Sequence, residues 1–444
     1  MADLTTPATP FFFATMGLEH WYLKRRRGDG PPTAGDYERR DTIASLAMGT
    51  ASLFAPMLLR KAFRPVTPGR GRWGTALVVG AIGAAAATTV ADVLAQRTAD
   101  GLPEAGVLPD PAARATAGRA DAAGTATPDN GVAAATANGV VAAAGDGVAP
   151  ATGAVRTFED GEASLDRTRR RRLARRARRF ASTTGAAAVT AGVSAACLGW
   201  VNATLANRLW ERRGKRHDLG TGVLVTAGAI LAWDFIYYLN HRLSHESRLM
   251  WAMHVVHHSS EHYNLSTALR QPVADTFTLS IPYSAMCLLG VRPSVLETAR
   301  GVNLLYQYWI HTDAIGKLGR WEAVLNTPSH HRAHHGANSR YLDRNHGSIL
   351  IIWDRLFGTF QPEVDEDPVV YGLTRNIDTY NPLRIATHEH ADIVRDVYRS
   401  RSWSDRLSFV LRGPGWAYER RAALGAGDAP VPAAVSGDGD ERAA

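Results

Sequence analysis

The chain has 444 residues, 45% hydrophobic and 21% charged, with 50 Lys and Arg against 42 Asp and Glu and a net charge of +8. That length allows one large domain or two to three ordinary ones. Its two cysteines, Cys197 and Cys287, exclude a disulfide scaffold and a Cys-ligated zinc or iron–sulfur site; both sit in apolar stretches and read as small buried hydrophobes.

Along the chain, uncharged runs come first, at 42–59 and 73–91. Asp3 stands where a basic region would introduce a secretory signal, so none is expected. Residues 98–166 are mostly Ala, Gly, Asp, Thr, Pro and Val, with Phe158 the only aromatic. Such a segment buries too little apolar surface to offset its chain entropy and reads as a disordered linker, as does the tail at 425–444. Next comes a block of nine arginines: Arg167, Arg169, Arg170, Arg171, Arg172, Arg175, Arg176, Arg178 and Arg179. They supply more than the whole net charge, so the remainder is slightly acidic and a uniformly basic nucleic-acid-binding surface is excluded. An Arg block directly before an apolar run holds the end of that run at an anionic membrane surface.

Further uncharged runs follow at 181–207, 219–233 and 276–291. A bilayer core needs about 20 apolar residues in a helix, so the expected fold is all-α, a multispanning membrane helical bundle. The division expected is 1–97 as N-terminal membrane helices, 98–180 as the linker ending in the Arg run, 181–390 as a catalytic membrane domain, and 391–444 as a C-terminal segment and tail.

Sixteen histidines occur, twelve of them between 241 and 346. Three clusters are patterned: His241 and His245; His254, His257 and His258; and His331, His334 and His335. Spacings of three and four place side chains on one helix face, so each cluster can aim its imidazoles at a common point. Such a point suits zinc, iron, copper or nickel. Eight clustered histidines exceed the needs of one ion and suggest two. A pair of iron ions with open positions beside a bilayer is one way to turn dioxygen on an unactivated C–H bond.

The motifs HxxxH, HxxHH and HxxHH lie within DFIYYLNHRLSHESRLMWAMHVVHHSSEHYNLSTALRQP and LNTPSHHRAHHGANSRYLDRNHGSILIIWDRLFGTF. This arrangement resembles the membrane fatty acid hydroxylase/sterol desaturase superfamily. HHSSEHYNLSTALRQ, LLYQYWIHT, LNTPSHHRAHHG and VVYGLT are most similar to the alkylglycerol monooxygenases within it, over about 219–388. The N-terminal FFFATMGLEHWYLKRR and DTIASLAMG are similar more weakly.

The resemblance implies a non-heme di-iron oxygenase with the metal site on the cytoplasmic side. Its ligands by motif position would be His241, His245, His254, His257, His258, His331, His334 and His335, with His311 of YWIHT completing the set. His262, His330 and His346 fall off the motif positions and would lie behind the ligands or at the surface. The resemblance further implies a lipid substrate, O2 and two electrons, with hydroxylation at the ether-linked carbon of an alkylglycerol and tetrahydrobiopterin as reductant. The alternative keeps the di-iron chemistry on a fatty acid, sterol or carotenoid-type substrate. A separate ferredoxin or cytochrome would then be the donor, since neither HPGG nor CxxxxCxxC occurs in the chain.

Two carboxylates are candidate catalytic residues. Asp234 lies two helical turns before His241 and is placed to accept the second ring N–H of a ligand histidine; the alternative is a buried Asp paired elsewhere. Glu246 directly follows His245 and would handle a cofactor or a proton, or else be a surface carboxylate. Asn264 and Arg270 are expected to hold the connection after the second cluster. For all ligands to share one membrane face, two apolar segments, about 273–291 and 296–310, are expected to return the chain to the starting side, by two crossings or by one shallow hairpin. The basic stretch 208–217 sits awkwardly with a full span at 219–238, unless 199–217 lies along the interface. A membrane metal transporter is the reading from another class, disfavoured because the histidines flank the apolar runs and avoid their centres; a non-catalytic interaction protein built on the Arg block is the other.

Overall fold

The computed structural model describes residues 4–99, 158–272 and 283–427. Most of the expected linker (100–157), the end of the tail (428–444) and the first part of the 276–291 run lie outside the described residues. Within them the chain is helical and has no strand, only two isolated bridges, Leu325 with Leu350 and Gly336 with Tyr371. The expected all-α class holds.

Helix α1 (Thr5–Arg27) ends on four basic residues that complement the negative end of the helix dipole, and Gly28 at φ 59° stops it. Then come α2 (Arg39–Phe63), α3 (Gly74–Ala99), α4 (Phe158–Ala203) and the short α5 (Ala206–Arg212). The Arg-rich run belongs to α4 and is continuous with the apolar stretch after it. This corrects the expectation of a linker up to 180: Arg and Ala are strong helix formers, and the helix carries the run with it.

The histidine-bearing part follows as α6 (Val223–Glu246), α7 (Arg248–His258), α8 (Ala285–Leu288), α9 (Pro293–Ile310), α10 (Pro328–His334) and α11 (Ile352–Phe357). The chain closes with α12 (Pro382–Arg399), α13 (Trp403–Leu411) and α14 (Pro414–Gly427).

Among the described residues, three helical stretches are long and apolar enough to cross a membrane: Gly74–Thr98, Thr168–Ala203 and Val223–Glu246. The run at 42–59 falls in α2 and the one at 296–310 in α9, neither of which is among these three. Of the pair expected to carry the chain out and back, α9 holds Glu297 and Arg300. The described part of 273–291 contains only the four-residue α8.

The chain divides into two compact units, Met1–Asp92 with Arg179–Leu424, and Val93–Arg178 with Gly425–Ala444. In the first unit, one apolar core joins α6 to α8 and α9 through Ala229, Trp233, Met286, Cys287, Val295 and Ala299, with Trp233 stacked on Tyr283 at 3.8 Å. A second core packs α4 and α7 on the C-terminal helices through Val189, Ala252, Ile393, Val397 and Phe409. Cys287 is buried, as expected for a small hydrophobe, and Cys197 is half-buried. In the second unit the described arginines of the run, Arg169, Arg170, Arg171, Arg172, Arg175, Arg176 and Arg178, are exposed.

Candidate metal centre

Helices α6 and α7 are separated only by Ser247, whose extended backbone (φ −120°, ψ 123°) ends one helix and opens the next. The chain thereby folds back, and His241 of α6 faces His254 of α7 with Nε2 atoms 2.8 Å apart. His311 caps the C-terminus of α9. Pro328 opens the seven-residue α10, which presents His331 and His334, with His335 as its cap.

All nine expected histidines converge, in two sets. His241, His245, His254, His258 and His334 form one; His257, His311, His331 and His335 form the other. Within each set the ligand atoms lie within 4.8 Å of one another. Helix geometry accounts for the partition. The i,i+4 pairs His241/His245, His254/His258 and His331/His335 stay together, whereas the neighbours His257/His258 and His334/His335 point about 100° apart and go to different sets.

Backbone carbonyls set the tautomers. His241 Nδ1 donates to His346 O (2.8 Å), His334 Nδ1 to Arg344 O (2.7 Å) and His311 Nδ1 to Gln307 O (2.6 Å). A carbonyl only accepts, so these three neutral rings carry bare lone pairs on Nε2. Those lone pairs point inward: His311 Nε2 is 2.9 Å from His331 Nε2 and 3.0 Å from His257 Nε2. The Nε2 atoms of His245, His334 and His335 are buried without a hydrogen-bond partner. Inward lone pairs and orphaned buried nitrogens are costly alone and suit a bound cation, so the donor set fits metals that favour imidazole.

Burial, reinforced by neighbouring imidazoles, pushes His254, His257, His258, His331, His334 and His335 well below the ordinary histidine range. Burial alone takes His311 down to about 4. They stay neutral and able to ligate. The linkage has a definite sign. The unfolded chain takes up protons near pH 6.5 while the folded rings do not, so stability is complete above that value and is lost as pH falls. The melting temperature of chelator-treated protein is therefore expected to drop steadily below about pH 6.5; a flat profile between pH 7 and 5 would contradict the burial of these rings.

One expectation about the two carboxylates needs correction. Asp234 touches no histidine ring. It accepts from Ile349 N (2.7 Å), Leu350 N (3.2 Å), Trp353 Nε1 (2.9 Å) and Asn303 Nδ2 (3.4 Å). Together with Asp354, which accepts from His346 N and Gly347 N at 2.7 Å each, it pins the 346–353 segment whose carbonyl orients His241. Glu246 is half-exposed and paired with Arg242 at 2.8 Å, one helical turn back on the surface of α6.

His346 lies behind the ligands, one of the two places expected for it. It is buried, with its ring centroid 4.9 Å from His245 and 5.5 Å from His241, and its backbone oxygen orients His241. His330 is turned away from the sets, against Phe360 and 4.0 Å from Glu322, and His262 is half-buried in the turn after α7. Asn264 and Arg270 do brace that turn, Asn264 through Ser266 N (3.1 Å) and Arg270 through Ser259 Oγ (3.0 Å) and Asp41 (2.7 Å).

The fatty acid hydroxylase family model matches residues 226–359, a stretch that contains every one of the nine histidines. Among curated proteins the chain is similar to alkylglycerol monooxygenase from Homo sapiens, 44% identical over 49% of this chain and 46% of that protein. The protein of that name from Danio rerio is 48% identical over 42% of each chain. Ornithine lipid hydroxylase OlsE from Rhizobium tropici is 29% identical over 34% of this chain and 46% of that protein. The chain thus spans about half the length, or less, of the curated relatives it matches. No solved structure matches it. Residues 226–359 thus match the fatty acid hydroxylase family, and the likeness to alkylglycerol monooxygenases covers the part of the chain that builds the histidine sets.

Proposed function

We propose that this chain is an integral membrane, multi-pass, non-heme di-iron oxygenase that hydroxylates a lipid with O2, in the manner the alkylglycerol monooxygenases are named for. The observation that carries this reading is the convergence of nine imidazoles, eight of them buried, into two adjacent sets. His241, His245, His254, His258 and His334 would hold one ion and His257, His311, His331 and His335 the other. When bound, the pair of ions supplies O2 activation, drawing two electrons from outside. The chain's own part is to orient the rings through carbonyls, keep them neutral by burial, and exclude water from the space between them. We place the site on the cytoplasmic side, within a catalytic portion at 181–390. Glu246, at the exposed end of α6 beside His245, is our candidate for handling a proton or the reductant, tetrahydrobiopterin or an external ferredoxin or cytochrome. An ether-linked glycerolipid is favoured as substrate over a fatty acid or sterol because the alkylglycerol monooxygenases match at 44–48% identity and the ornithine lipid hydroxylase at 29%.

The test is metal analysis and turnover of the detergent-purified full-length chain. About two irons per chain and O2-dependent consumption of an alkylglycerol with tetrahydrobiopterin are expected. One zinc per chain with no turnover would sink the proposal.

A further inference from the structure

The nine histidines all come from 241–335, yet buried acids from the first two helices reach their supports. Glu19 of α1 is 6% exposed. Its Oε1 accepts from the Thr312 hydroxyl, and its Oε2 accepts from the Tyr37 hydroxyl and from Leu265 N at 2.9 Å. Thr312 directly follows His311, and Leu265 lies in the turn that leaves the His254–His258 helix. One carboxylate therefore ties together the two backbone segments that present His311 and His257, whose Nε2 atoms are 3.0 Å apart.

Asp41 of α2 repeats the device on the other side of the same turn. It is 3% exposed, and it pairs with Arg270 at 2.7 Å and accepts from Ser260 Oγ at 2.6 Å. Arg270 in turn donates to Ser259 Oγ at 3.0 Å, so both serines that follow His258 are held. The backbone closes around them. Tyr263 N donates to Ala34 O at 2.9 Å, and a Cβ at Gly49 would lie 2.5 Å from Leu269 O. Glycine is what lets α2 come this near the 267–269 turn.

We infer that Glu19 and Asp41 are positioning residues of the metal centre, and that α1 and α2 are part of it rather than a separate membrane anchor. The fatty acid hydroxylase match at 226–359 includes neither residue. This inference rests on the reading of the histidines as metal ligands. Groups that orient ligands from behind typically govern metal affinity by 10- to 100-fold, and buried charges with several partners hold their geometry tightly.

The test loads full-length protein in detergent with Co(II), whose visible bands report imidazole ligation, and times its release to a chelator. Glu19→Gln keeps the side-chain shape but removes the charge and one of the two acceptor oxygens, so that the Thr312 hydroxyl must turn from donating to accepting. Cobalt release from one set is expected to be about tenfold faster or more, with altered bands, at unchanged helix content. Asp41→Asn is expected to behave alike. Wild-type bands and release rates in Glu19→Gln would overturn the inference. If that variant does not fold, Thr312→Val, which removes the hydrogen bond to Glu19 and the one accepted from Ala314 N, is read by the same criterion. Failure of the underlying ligand assignment looks different: the wild-type protein itself would then take up no cobalt.

Discussion

Replacing His257 or His334 by Ala is expected to strip one ion from the centre and bring lipid hydroxylation down to background. The two positions probe different sets: His257 belongs with His311, His331 and His335, and His334 with His241, His245, His254 and His258. Loss of a group behind a ligand already costs 10- to 100-fold in metal affinity, and loss of the ligand itself should exceed about 100-fold. The four-histidine set has less redundancy, so His257→Ala should lose its ion more completely than His334→Ala. Metal content by mass spectrometry, together with O2-dependent turnover, measures both effects. His330→Ala is the control, because that ring faces Phe360 and lies outside both sets. Full metal content and turnover in both His257→Ala and His334→Ala would refute the ligand assignment.

Arg248→Ala is expected to be the most destabilising single change outside the histidine sets. Arg248 opens α7 and is fully buried, pairing with Glu389 at 2.6 Å and Asp396 at 2.8 Å and donating to Phe409 O at 3.3 Å. Its guanidinium also lies 5.8 Å from the Phe409 ring centroid. Both carboxylates are themselves buried, at 3% and 2% exposure, so truncating the arginine leaves them without their shared counter-charge. Breaking a buried pair in this way costs about 3–5 kcal/mol, a large part of the 5–15 kcal/mol typical of a domain. Asp396 keeps Arg421 at 2.6 Å and Glu389 keeps the Tyr418 hydroxyl at 3.1 Å, which argues for the lower half of that range. Denaturation in detergent should show the loss, and metal content should fall with it because the far end of α7 carries His254, His257 and His258. Wild-type stability would mean that the surrounding helices relax and admit water to the two acids.

The chain's order of residues carries some of these features and not others. The i,i+4 histidine pairs could be read directly, because helical periodicity is local and needs only the order of residues along one element. Asp234 shows where such reading stops. Its position two turns before His241 suggested a histidine partner, but its four partners come from 303 and from 349–353, and proximity along a helix says nothing about them. The apolar runs divide in the same way: those at 73–91 and 181–203 lie in membrane-length helices, while 296–310 falls in α9, where Glu297 and Arg300 interrupt it.

The order of residues is enough to read an all-helical chain, the side chains able to ligate metal, and the concentration of positive charge in one arginine block. Only the tertiary structure decided how the histidines divide into two sets, which carbonyls set their tautomers, and that Glu19 and Asp41 brace them from more than two hundred residues away along the chain. The reason is physical. Ligand type and helix face follow from composition and a 3.6-residue period. The partners of buried polar groups, by contrast, are chosen by long-range packing, in which any suitable donor or acceptor brought within 3 Å or so will serve.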